Sequence, residues 1–179
     1  MNIKATLAVL NEMQSQGIIG MYALGGAVAA AFYLEPAETE DIDVFVAIEL
    51  APGSTLISLS PIYDYLRGRG YEMQGQYVVI SDWPVQFLAP DSPLVEEALQ
   101  QAVVKNVDGI PVRTFTAEHL IAIMLKLARP KDKVRLVQFL EASNSSEARF
   151  KFDESVFNAI LERHGLVERW TEIKKQLVR

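Results

Sequence analysis

The chain has 179 residues, half of them apolar and 22% charged, with a formal net charge of −6 and no cysteine. That length fits one compact domain, or one domain with a helical extension, and supports a core that needs no disulfide or thiolate metal centre. The acidic balance argues against a dedicated nucleic-acid binder, which would present a basic face. The lack of cysteine agrees with a reducing cytoplasm, where we expect the protein to reside.

Ile3, Leu7, Leu10 and Met13 fall at helical spacing and predict a first helix over 2–16, closed by Gly17. Asn11, Glu12 and Gln14 within it are unlike a signal peptide. Ile18 to Leu34 then runs 17 residues without a charge, close to the length that spans a membrane. It has no basic flank and is cut by Gly25-Gly26. A buried strand over 18–24, a tight glycine turn and a small-residue helix over 27–33 account for it, and no membrane association is expected. At Gly25-Gly26 the backbone can approach a ligand closely. Glu35–Glu40 is an acidic loop around Pro36.

Asp41–Ile48, reading DIDVFVAI, is the predicted central strand. Side chains alternate along a strand, so Asp41 and Asp43 share a face, roughly 6–7 Å apart. Ile42, Val44, Val46 and Ile48 form the opposite, apolar face. Aspartate is disfavoured in strands, and two unneutralised carboxylates beside a core cost several kcal/mol. A hard divalent cation, Mg2+ or Mn2+, would neutralise the pair and bring phosphates with it.

Pro52-Gly53-Ser54 is a loop signal, and Ser60-Pro61 starts a helix that stops at Gly68–Gly70. Strands are expected over 71–73, 77–81 and 85–88, with a turn at Asp82-Trp83-Pro84 making 77–88 a hairpin. A helix over 93–102 precedes strands 103–107 and 111–115, which flank the hairpin signal Asp108-Gly109. After residue 115 the pattern becomes helical. Thr116 caps a helix to Ala128 that buries Leu120, Ile121, Met124 and Leu127, and Pro130 opens another to Leu140. Asn144–Ser146 is a polar connection; Asp153 caps a helix to Arg163, Gly165 ends it, and 167–178 is the last. The fold class is therefore α/β (α+β): a small mixed β-sheet with flanking helices and an all-helical C-terminal part. We divide it into a core, 1–115, and a helical extension, 116–179, packed on that core. The basic clusters Arg129, Lys131, Lys133, Arg135 and Arg169, Lys174, Lys175, Arg179 read as solvated helix faces. His119 and His164, the only histidines, lack zinc-ligand spacing and receive no role. Trp83 and Trp170 read as packing residues.

Gly25-Gly26 followed by Thr39-Glu40-Asp41-Ile42-Asp43 resembles the signature of the DNA-polymerase-β-like nucleotidyltransferase superfamily. Thr39, two residues before Asp41, matches a pattern of its minimal and abortive-infection-toxin branches. So does the later stretch with Lys126, Arg129-Pro130 and Lys131-Asp132-Lys133. The likeness covers about residues 20 to 142. It implies a nucleotidyltransferase-type sheet and transfer of a nucleoside monophosphate from an NTP to an acceptor hydroxyl, on a tRNA end, a protein side chain or a small molecule. In it Asp41 and Asp43 hold Mg2+ or Mn2+ and form the catalytic pair, and Gly25, Gly26, Thr39 and Lys126 belong to the nucleotide and phosphate site. Lys131 and Asp132 stand at the start of the next helix. Free N–H groups at a helix start attract phosphate, and a bridging cation neutralises developing charge.

The superfamily supplies a third carboxylate from a later strand. The matching slot in Trp83-Pro84-Val85-Gln86 holds Gln86, whose amide oxygen can ligate a cation but brings no charge and cannot act as a base. Asp82 lies four residues earlier, and Glu38 stands where a basic residue is usual. Three readings stay open: an enzyme; a catalytically degenerate binding or regulatory protein, such as a toxin–antitoxin-type component whose C-terminal helices meet a protein partner; and an unrelated α/β domain whose aspartates are structural.

Overall fold

The computed structural model describes residues 2–47, 58–143 and 150–177. In chain order these form α1 (Ile3–Ser15), β1 (Tyr22–Leu24), α2 (Gly26–Ala30), β2 (Ile42–Val46), α3 (Ser60–Gly68), β3 (Glu72–Gln74), β4 (Tyr77–Ile80) and β5 (Trp83–Leu88). Then come α4 (Pro93–Gln100), β6 (Val103–Val107), β7 (Ile110–Thr114), α5 (Ala117–Leu127), α6 (Pro130–Ser143), α7 (Glu154–Arg163) and α8 (Val167–Leu177). Ile48, Pro52-Gly53-Ser54, Asn144–Ser146 and Val178, on which sequence expectations also fall, lie outside the described residues.

The seven strands make one mixed sheet in the order β3-β4-β5-β2-β1-β7-β6, with β2 at its centre. β2 runs antiparallel to β1 and parallel to β5. Ile42, Val44 and Val46 are wholly buried, each contributing about 1.5–3 kcal/mol by leaving water. Tyr22 and Leu24 of β1 stand opposite Val46 and Val44 on that same face. α1 covers it: Leu7, Leu10 and Met13 are fully buried, and Tyr22 Oη donates to Asn11 Oδ1 at 2.6 Å. α2 and α5 lie against the other face, where Asp43 points.

Local chemistry moves several predicted boundaries. The strand expected over 18–24 is only Tyr22–Leu24, because the N–H groups of Ile18 and Ile19 turn back to the Met13 carbonyl, capping α1. Asp41 precedes β2 rather than opening it. The β4–β5 turn falls on Ser81-Asp82, both at positive φ (51° and 69°), not on Asp82-Trp83-Pro84. Pro84 is tolerated in β5 because pairing with β2 begins only at Val85, so no partner there needs its missing N–H. Leu127, expected to be buried, is 47% exposed. Among the described residues, no helix is long and apolar enough to cross a membrane.

The C-terminal helices join the same hydrophobic core, with α5 packed against α2, α4, α6 and α7. A polar clamp fastens α7. Glu97 of α4 accepts from Arg163 Nε and Nη2, both at 2.8 Å, and pairs with His164 Nε2 at 2.8 Å. His119 of α5 is fully buried, with Nδ1 bonded to the Thr116 hydroxyl at 2.9 Å and Nε2 at 3.4 Å from Glu97. Burial opposes ionisation of Glu97, but the bonds from Arg163 and His164 outweigh it and hold its pKa down at about 2. Burial likewise pushes the His119 pKa below its usual value.

Both shifts stabilise the folded state above the groups' unfolded pKa values, and that stability is lost as pH falls. Melting temperature should therefore decline below about pH 6.5 as His119 is forced to charge, and more steeply below about pH 4.5 as Glu97 protonates. Glu97→Gln should cost on the order of 2–3 kcal/mol at pH 7, a drop of about 5–10 °C, and flatten the lower acid limb. A pH series of calorimetric melts checks this; unchanged acid limbs would assign the stability elsewhere.

Candidate functional site

Strand periodicity turns the side chains of Asp41, Asp43 and Phe45 to one side of β2, where all three line a cleft of about 660 Å3. Thr39 holds the entry to the strand: its hydroxyl donates to the Asp41 carbonyl at 3.2 Å and lies 3.4 Å from Asp41 Oδ1. Asp43 is the more enclosed carboxylate. Burial raises its pKa and the Asp41 charge raises it further, while Lys131 and Arg129 act in the opposite sense. The parallel β2–β5 register sets Gln86 directly beside Asp43, and Gln86 lines the cleft as well. Asp82 sits in the β4–β5 turn, outside the lining.

Gly25 and Gly26 join β1 to α2 under the same aspartate. The Gly25 N–H donates to the Asp43 carbonyl at 3.0 Å. Gly26 has φ +55°, and a Cβ there would collide with the Asp43 carboxylate. A Cβ on Gly25 would meet the Phe45 ring at 2.5 Å. The second glycine is thus required twice, for its backbone conformation and for the room it leaves Asp43.

The opposite wall comes from the α5–α6 corner. Ala128 adopts the left-handed conformation that ends α5, and Arg129, Lys131 and Arg135 then line the cleft. Asp132, only 4% exposed, takes Arg129 Nε at 2.7 Å, its Nη2 at 3.0 Å and its backbone N–H at 3.0 Å. The ion-pair partner of Arg129 is therefore Asp132, and among the described residues neither Asp41 nor Asp43 has a basic nitrogen within ion-pair distance. Phe45, Phe115, Leu120 and Met124 give the cleft an apolar floor. Lys126 is exposed in the last turn of α5 and lies outside the lining. The sequence reading treated Arg129 and Arg135 as solvated; the signal for their placement was the i, i+4 spacing of Lys131 and Arg135 on one helix face.

The fold is that of a nucleotidyltransferase. The chain superposes on the crystal structure of an antigenic nucleotidyltransferase-like protein from Paracoccidioides brasiliensis with a TM-score of 0.57 and 14% identity, over 97% of this chain and 91% of the other. Two structures of the antibiotic-resistance factor ANT(2'')-Ia are also similar. One, in solution, gives a TM-score of 0.48 and 16% identity over 95% and 97% of the two chains. The other, in complex with adenylyl-2''-tobramycin, gives 0.49 and 16% over 91% and 99%. No family model matches the sequence, and no curated protein matches it.

Proposed function

We propose that the protein is a metal-dependent nucleotidyltransferase that moves a nucleoside monophosphate from an NTP to an acceptor hydroxyl. One observation carries this reading: two carboxylates, Asp43 in the central strand and Asp41 just before it, open into one cleft whose far wall is cationic. The donor set fits a hard cation. Asp43 is short of positive charge, as burial and Asp41 both oppose its ionisation, and Mg2+ characteristically takes one or two protein carboxylates and completes its shell with water and phosphate oxygens. Among the described residues, no third His, Cys, Asp or Glu completes a three-ligand cluster. Asp41 and Asp43 would hold the ion, with the Gln86 amide oxygen beside them. When bound, the cation polarises the α-phosphate and offsets the charge that builds there.

The chain's own residues do the rest. Thr39 fixes Asp41, and Gly26 lets Asp43 sit against the start of α2. The cations of the α6 wall face the triphosphate, and the apolar floor takes the base. The acceptor oxygen forms a bond to the α-phosphorus, the α–β bridging bond breaks, and pyrophosphate leaves with the electron pair. The hydroxyl proton passes to solvent, because Gln86 has no basic lone pair to take it.

Incubation with NTPs labelled at the α-phosphate, Mg2+ or Mn2+, and tRNA, protein or small-molecule acceptors tests the reading. Label on an acceptor matched by released pyrophosphate supports it; no transfer to any of the three sinks it. Gln86 favours a second reading, a nucleotide-binding protein of regulatory or toxin–antitoxin type that no longer turns over. On that reading wild type binds NTP without transfer, and Gln86→Asp gains transfer activity by restoring a charged oxygen next to Asp43.

A further inference from the structure

In-line displacement at the α-phosphate needs the acceptor oxygen on the side away from the leaving pyrophosphate. With the triphosphate facing the α6 wall, that side is the sheet surface of β5 and β4. Val78 pairs with Val85 in the antiparallel β4–β5 register, and the next step along sets Tyr77 beside Gln86. Gln86 in turn stands beside Asp43. Asp43, Gln86 and Tyr77 thus form one row across three strands, and all three line the cleft. At roughly 4.8 Å between strands, the Tyr77 backbone lies about 10 Å from that of Asp43. Among the described residues of the lining, only Thr39 and Tyr77 carry a hydroxyl. The Thr39 hydroxyl is engaged, donating to the Asp41 carbonyl. The Tyr77 phenol instead accepts from Gln76 Nε2 at 3.0 Å, an exposed bond that leaves its own proton to be released.

We infer that Tyr77 is a self-acceptor, a tyrosine of the chain that takes the nucleoside monophosphate in cis. This rests on the enzymatic reading above and names an acceptor for it. Tyr77 Oη forms a bond to the α-phosphorus of the NTP, the α–β bridging bond breaks, and pyrophosphate leaves with the electron pair. The phenolic proton goes to solvent, and the product is a phosphodiester between tyrosine and nucleoside. Two features favour a phenol at this place. Gln86 cannot take a proton, so the site suits an oxygen whose proton leaves easily, and a phenol releases its proton far more readily than an aliphatic or sugar hydroxyl. Tyr77 is also held at the cleft by its own strand, so no second molecule has to be captured and oriented. The nucleotide left on Tyr77 then fills the side of the cleft that any other acceptor would use.

The chain alone, incubated with Mg2+ and an NTP labelled at the α-phosphate, tests this by intact mass and peptide mapping. Wild type should gain one nucleoside monophosphate, on Tyr77, and both Tyr77→Phe and Asp43→Asn should fall to background, with melting curves showing that each variant is folded. Because the step is intramolecular, its rate constant should hold through about tenfold dilution of the protein. A readout without metal or turnover comes from nitration of tyrosines by tetranitromethane. A non-cleavable α,β-methylene NTP analogue at saturation should slow nitration of Tyr77 and leave Tyr65, on α3, unchanged. Transfer to an added acceptor with none to the chain, label that persists in Tyr77→Phe, or nitration of Tyr77 indifferent to the analogue overturns the self-acceptor and leaves the enzymatic reading standing. No transfer either to the chain or to any added acceptor removes the enzymatic reading and the self-acceptor with it.

Discussion

Asp43→Asn should leave a folded protein at least as stable as wild type that transfers nucleotide about a thousandfold more slowly. Metal-assisted charge stabilisation supplies several kcal/mol of barrier lowering, and each 1.36 kcal/mol is about tenfold in rate. The amide keeps the shape of the side chain and removes the charge that would hold the ion. The stability half has the opposite sign and comes from electrostatics. Burial and the Asp41 charge raise the Asp43 pKa, so the folded state binds a proton more readily than the unfolded chain does. Above the unfolded pKa the ionised carboxylate therefore destabilises the fold, and stability is gained as pH falls. Asparagine removes that penalty at neutral pH. A structural aspartate would behave in reverse, with stability lost and no transfer to lose. Parallel melts and labelled-nucleotide assays separate the two, and transfer within tenfold of wild type would end the metal reading.

Gly26→Ala should damage both stability and the site, and more severely than Gly25→Ala. At φ +55° an alanine is strained by about 1–3 kcal/mol. Its Cβ also meets the Asp43 carboxylate, which has the β5 neighbour on one side and the hydrophobic core behind it, so Asp43 must turn away or α2 must shift. We expect melting to fall by about 3–10 °C and metal-dependent NTP binding to be lost. At Gly25 the obstacle is the partly buried Phe45 ring, a side chain at the wall of the cleft, and φ is −119°, ordinary for any residue. Equal effects at the two positions would mean that the turn is a spacer only, with no bearing on Asp43.

Much of the architecture is written in local chemistry. Thr116 and Asp153 cap α5 and α7 through their own side chains, as their positions before apolar helical patterns suggested. Asp108-Gly109 makes the β6–β7 hairpin with both residues at positive φ. The turn after β4 was harder to place, since proline and aspartate both mark turns and only the start of β2–β5 pairing decides that Pro84 belongs to a strand. Arg129 and Arg135 looked like solvent-facing cations because a helix face has no signature for the cleft it will meet.

By itself the sequence determined that Asp41 and Asp43 lie together opposite an apolar face. That follows from the two-residue repeat of an extended chain, a covalent property that needs no partner. Tertiary structure alone decided what surrounds them. Gln86 reaches Asp43 through a parallel register between strands some forty residues apart, and Asp132 aims Arg129 at the cleft from a helix corner. His119, Glu97, Arg163 and His164 meet only because three helices bury their apolar faces on one core. Such encounters are fixed by which non-local surfaces exclude water together, and no short-range pattern encodes them.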